Sequence, residues 1–180
     1  AKLINWLSER EARFRDATPT NNGFLPHHTT VHSGVVHGGT ALNIISRQCE
    51  FLWDVRVIPG ENALSVFEEF QAFCQEVILP KMQAVHQDAD IQTTILADTP
   101  PLQEVADSPA LKLAQDLAGN TVRSRVAYAA EAGQFQEAGF PTVICGPGSI
   151  DQAHQPNEFI SIDQMEQGEQ FLRKLIHRLS

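Results

Sequence analysis

The chain has 180 residues, 42% of them hydrophobic and 19% charged, which is ordinary globular composition, enough for one domain or two small ones. Its net charge of −9 and scattered Lys and Arg argue against a nucleic-acid or polyanion partner. No apolar run approaches the roughly 18 residues of a membrane span, and no signal peptide is visible. Cys49, Cys74 and Cys145 are odd in number and far apart, the pattern of reduced thiols in a cytoplasmic protein.

Residues 2–14 read as a helix with Leu3, Ile4 and Leu7 on one face, and residues 16–28 as turns. Thr29–Val36 reads as a strand broken by Gly38-Gly39. Gln48–Ile58 alternates cleanly, with Cys49, Phe51, Trp53, Val55 and Val57 on one face, and predicts a half-buried strand antiparallel to the first. Asn62 to about Ala84 predicts a long amphipathic helix that Pro80 should kink or end, and Asp90–Ala97 a further strand. Helix, strand, strand, helix, strand is the order of a split βαβ sandwich without its first strand.

The character changes at Asp98-Thr99-Pro100-Pro101, dividing the chain into 1–97 and 98–180. In the second part Ser108, Pro109 and Gly119 mark the ends of a helix. Thr121–Tyr128 reads as a strand, Glu131–Ala138 as a short helix and Pro141–Cys145 as a brief buried strand. Ser161 and Gln164 open a closing helix whose apolar stripe is Met165, Leu172, Leu175, Ile176 and Leu179. The overall class is α/β.

The loop from Gly146 to Glu158 carries the strongest local signal for chemistry. It follows an apolar strand, where ligands collect in open α/β sheets. Gly146 and Gly148 let backbone approach a ligand, and His154 can ligate a metal through neutral imidazole. A surface loop with an incidental histidine is the competing reading.

GPGSIDQAHQPNEF, followed by a helix, resembles the C-terminal signature of the aminoacylase and acetylornithine deacetylase family of dinuclear zinc amidohydrolases. The preceding YAAEAGQFQEAGFPTVICGPGS resembles the same branch, with Ala130 in place of a threonine. HHTTVHSGVVHGGTALNIISRQCEFLWDVRVIPGEN resembles the family's inserted dimerisation (lid) domain through Gly-Gly-Thr-Ala-x-Asn and Asp-x-Arg-x-x-Pro-Gly. The resemblance spans nearly the whole chain.

It implies a split βαβ, ferredoxin-like lid at 1–97 and the end of an α/β zinc-hydrolase domain at 98–180. It makes His154 a ligand of one of two zinc ions (cobalt being an alternative) and Asn43 a residue that reaches a neighbouring subunit's active site, hence a homodimer. Arg56 and Asn43 would hold the substrate α-carboxylate, with Glu131, Gly146, Gly148 and Ser149 also facing substrate. The implied substrate is an N-acyl amino acid such as N-acetylornithine, in arginine biosynthesis, with related desuccinylase or carboxypeptidase-like activities as alternatives. The catalytic base, the other ligands and the lid histidine are expected upstream of residue 1, so the chain alone is expected to be inactive. A non-catalytic dimerisation module is the rival of another class.

Blander roles stand beside these. Asn43 would satisfy a turn, Arg56 would be solvated, and Glu131 would cap its helix. His37 supports the turn before Gly38-Gly39. His27 and His28, if in a strand, point oppositely and share no metal. His32, His86 and His177 read as surface residues, and Cys145 as core packing.

Overall fold

A computed structural model describes residues 1–153 and 155–180; His154 lies outside the described residues. The chain forms two compact units, 1–101 with 125–129, and 102–124 with 130–180.

In the first unit, α1 (Lys2–Ala17) leads through a turn-rich segment to β1 (Thr30–Gly38), which pairs antiparallel with β2 (Cys49–Arg56). The register sets Val31 opposite Val55 and Ser33 opposite Trp53, then shifts, with Gly34 as the extra residue, to Val35 opposite Leu52 and Val36 opposite Phe51. This bulge carries Val36 onto the inward face with Phe51, Trp53 and Val55. The alternation in β2 is therefore the alternation of the sheet.

α2 (Ala63–Ala72) starts at Asn62, whose side chain accepts the Leu64 N–H at 2.9 Å. It continues without a break through a π-helical turn, Phe73–Ile78, into α3 (Leu79–Gln83). The helix neither stops nor breaks at Pro80, contrary to the usual effect of an internal proline. In the π turn the Leu79 N–H reaches back to the Cys74 carbonyl, and this widened turn accommodates the proline ring and its missing N–H.

The core of this unit is Leu7, Val31, Val66, Phe70 and Cys74, ringed by Leu3, Trp6, Phe14, Phe51, Trp53, Val55 and Ile91. Phe70 is its hub, with ring centroids of Trp53, Trp6 and Phe51 at 4.9, 5.5 and 6.3 Å. Arg10 and Glu69, 2.8 Å apart, join α1 to α2.

Residues 90–97 are not a ladder strand. Ile91 packs on the core, and its carbonyl accepts from Gln75 Nε2 at 3.1 Å, so a helix side chain takes the place of a neighbouring strand. His27 and His28 are not in a strand either. They sit in a bend with ring centroids 4.8 Å apart, edge to face, so the alternation rule does not apply to them.

In the second unit, α4 (Pro109–Ala118) is bounded as its residues dictate: Ser108 Oγ accepts the Leu111 N–H at 3.4 Å, and Gly119 takes φ 69° at the C-terminal end. The short α5 (Ala132–Glu137) is tied to residue 103 twice. Gln103 N–H donates to Gln136 Oε1 at 2.8 Å, and Gln136 Nε2 donates to the Gln103 carbonyl at 2.9 Å. α6 (Ile162–Leu179) starts at Ser161, whose hydroxyl accepts the Gln164 N–H at 3.3 Å and lies 3.2 Å from Gln164 Oε1.

Of the expected stripe α6 half-buries only Leu175. Met165, Leu172, Ile176 and Leu179 are exposed, and the half-buried face is Gln164, Gly168, Phe171 and Leu175. Lys174 reaches the Leu117 carbonyl at 3.1 Å, closing the end of α4 against α6. Residues 121–128 and 141–145 form no strand, and Cys145 is exposed, not a core residue. A β-branched segment becomes a strand only where another strand offers its hydrogen-bonding edge, and neither segment has that edge.

Candidate functional site

Asn43 lies in the exposed loop that joins β1 to β2. The loop is closed without it. Gly39 N–H donates to Ser46 Oγ at 2.9 Å, Ser46 Oγ donates to the Gln48 carbonyl, and Ile44 N–H reaches the Ala41 carbonyl at 3.3 Å. The Asn43 amide makes no hydrogen bond among the described residues, so backbone and Ser46 do the work that a turn-satisfying asparagine would do. Ser46 carries no signal in the sequence, since only the folded loop brings its hydroxyl to Gly39 and Gln48.

Arg56 stands at the opposite end of the hairpin, paired in register with Thr30. Its Nε donates to Asp54 Oδ2 at 3.0 Å, and both side chains are about half exposed. The alternation of β2 puts Arg56, Asp54, Leu52 and Glu50 on the outer face, away from the Phe70 core, with His32 opposite Asp54 and His37 opposite Glu50. Cys49–Val55, the rest of β2, separates Arg56 from the loop that carries Asn43, about 23 Å of strand.

In the second unit, Glu131 occupies the position before α5 and is exposed, yet its side chain makes no capping bond. Its helical φ of −69° and ψ of −1° turn the residue out of the extended geometry that side-chain capping needs.

The Gly146–Ser149 stretch is exposed apart from half-buried Ser149. Gly148 has φ +105°, a conformation closed to other residues, and Ile160 Cδ1 is the nearest atom to the side chain it lacks, at 3.9 Å. Pro147 lies against α6 at Gly168. Ser149 then shapes a tight turn. Its Oγ accepts the Asp151 N–H at 3.2 Å, and its carbonyl accepts the Gln152 N–H at 3.0 Å. Ala153 N–H bonds the Ile150 carbonyl at 3.2 Å. A second turn follows, with Glu158 N–H on the Gln155 carbonyl at 3.0 Å and Asn157 at φ 61°. His154 falls between these two turns and outside the described residues. Two positions before it in the sequence, the Gln152 Oε1 is buried and has no hydrogen-bond partner among the described residues.

Among the described residues no three His, Cys, Asp or Glu side chains come together closely enough to hold a metal ion. The described donors therefore do not fit a metal centre by themselves. Nor does an open groove of about 450 Å³ in the first unit, lined by Trp6, Phe73, Val77 and Ile78, contain any of the residues singled out from the sequence. No helix among the described residues is long and apolar enough to cross a membrane.

Comparison with known proteins is consistent along the chain. The sequence model of peptidase family M20/M25/M40 matches residues 20–178. Acetylornithine deacetylase of Aliivibrio fischeri (strain MJ11) is 33% identical over 159 residues, 88% of this chain and 40% of that protein. The acetylornithine deacetylases of Myxococcus xanthus and Pasteurella multocida are 30% and 33% identical over 87% and 82% of this chain, and 40% and 37% of their own lengths. The chain thus spans about two fifths of the length of these curated relatives.

Proposed function

Since the chain belongs to peptidase family M20/M25/M40, we propose that its 180 residues are the lid and the C-terminal end of a zinc-dependent amidohydrolase acting on an N-acyl amino acid, with N-acetylornithine the leading substrate. The observation that carries this reading is the match to three acetylornithine deacetylases over more than four fifths of the chain, alongside a family match over residues 20–178 that takes in both the hairpin and the Gly146–Glu158 loop.

Residues 1–97 are the lid. In a split βαβ sandwich the last strand pairs with the first, so a lid lacking its first strand leaves residues 90–97 extended and unpaired beside a two-stranded sheet. The unpaired course of 90–97 and the β1–β2 pairing agree with that arrangement.

His154 supplies one zinc ligand, and the other ligands and the general base come from outside these residues. Bound zinc would polarise the amide carbonyl and lower the pKa of a bound water. The chain's own part is to hold substrate. Arg56 offers its guanidinium to the carboxylate, steadied through Nε by Asp54. Asn43 reaches a second copy's site from the exposed loop, and the length of β2 between Asn43 and Arg56 supports a homodimer in which each site draws one of them from each chain. The glycines of the loop leave backbone groups open to the ligand.

The test is an assay of the full-length protein that carries these residues, with zinc or cobalt, on a panel of N-acetyl, N-succinyl and peptide substrates. Release of acetate from N-acetylornithine, lost in His154→Ala and with KM raised in Arg56→Ala, is the expected result. Preference for an N-succinyl or peptide substrate moves the assignment within the family. No metal-dependent hydrolysis of any of them overturns it in favour of a non-catalytic dimerisation module.

A further inference from the structure

The closing helix α6 carries a glycine in its interior, Gly168, where alanine would favour the helix more. Nothing in its helical geometry requires glycine; its φ is not in the left-handed region. What requires it is Pro147. A Cβ built on Gly168 would lie 2.9 Å from Pro147 Cγ, 3.2 Å from its Cβ and 3.5 Å from its Cδ. The first distance is shorter than real Cβ contacts allow. A proline ring cannot swing away as a lysine tip would, because it is closed onto the backbone nitrogen. To make room, the backbone of 146–148 itself would have to move.

The geometry points to Gly168 as a positioning residue: its bare surface on α6 is the seat for Pro147, and through Pro147 it sets where the Gly146–Ala153 loop stands. Gly168 belongs to the half-buried face of α6 with Gln164, Phe171 and Leu175, so the seat is fixed by the packing of the helix. Directly after Pro147 come Gly148 at φ +105° and the Ser149 turn, which pass any displacement on toward residue 154. The consequence for chemistry rests on the reading of His154 as a zinc ligand; the seat itself does not.

The experiment is a double-mutant cycle in the 180-residue chain, read by thermal unfolding and by amide hydrogen exchange. Freed of Pro147, Gly168→Ala should behave as glycine-to-alanine in a helix interior and raise Tm by about 2–4 °C in the Pro147→Gly background. With Pro147 present the same substitution should lower Tm. It should also speed exchange of the Gln152 and Ala153 amides severalfold while leaving those of α4 unchanged. A Tm rise from Gly168→Ala with Pro147 in place overturns the seat. A fall in Tm without faster exchange at Gln152 and Ala153 reduces Gly168 to helix packing and overturns the positioning role. The zinc reading is judged by the full-length assay, and its failure would leave both of these readouts unaffected.

Discussion

The Thr29 hydroxyl donates to Glu61 Oε2 at 2.6 Å and accepts the Ile58 N–H at 3.2 Å, so one fully buried side chain ties the start of β1 to the turn that follows β2. That turn, Pro59-Gly60, begins three residues beyond Arg56. Thr29 therefore holds the strand end from which Arg56 projects. Replacing it by valine keeps the shape and strands two partners, at a cost of about 1–3 kcal/mol. Urea unfolding of Thr29→Val checks this, and Thr29→Ser, which retains the hydroxyl, should recover most of the loss.

Phe70 is fully buried with Trp6, Trp53 and Phe51 around it. Phe70→Ala should cost about 3–5 kcal/mol, a large share of the roughly 5–15 kcal/mol available to a domain. Tryptophan emission should shift to the red as both indoles gain access to water. An unchanged emission spectrum and unfolding midpoint would contradict the hub role.

Cys74 has no solvent exposure, and burial pushes its thiol from 9.0 up to about 11. Cys49 and Cys145 are exposed. At pH 8 a maleimide should label two thiols quickly and Cys74 only on unfolding. The folded state binds the Cys74 proton more tightly than the unfolded one. Its contribution to stability is therefore complete below pH 9 and is lost as pH rises from 9 to about 11. The fall in Tm across that window should be smaller in Cys74→Ala, whatever that variant's own stability.

Ser108 is buried and caps α4. Ser108→Ala should lower stability by about 1 kcal/mol, within the range of 0.5–2 for such caps, measured by denaturant unfolding. Ser108→Asp should restore most of it.

The 180-residue chain, supplied with zinc or cobalt, should not hydrolyse N-acetylornithine at a measurable rate. The described residues assemble no metal site, and the general base is assigned to residues outside the chain. Acetate release by this chain alone would contradict the proposal that its site is completed from elsewhere.

Much of the local structure was legible because its causes are local. The ends of α4 follow from Ser108, Pro109 and Gly119, whose side chains and backbone preferences act within one turn. The inward face of β2 follows from alternation, and the start of α6 from Ser161 and Gln164. The resemblance to a zinc amidohydrolase family was equally legible, since the Gly146–Glu158 loop and the hairpin ends are short runs of consecutive residues; membership of peptidase family M20/M25/M40 agrees with it.

Only the tertiary structure decided the rest. Strands at 90–97, 121–128 and 141–145 depended on partners that no window of sequence contains, and in their absence the segments stay unpaired. Of the stripe expected on α6 only Leu175 lies on the half-buried face, because hydrophobicity states what could be buried, while the packing around the helix selected Gly168 and Phe171 beside it. Pro80 does not end its helix because a π turn absorbs it. Thr29 and Gly168 carry no motif, and their roles exist only where Glu61 and Pro147 are brought to them across the fold.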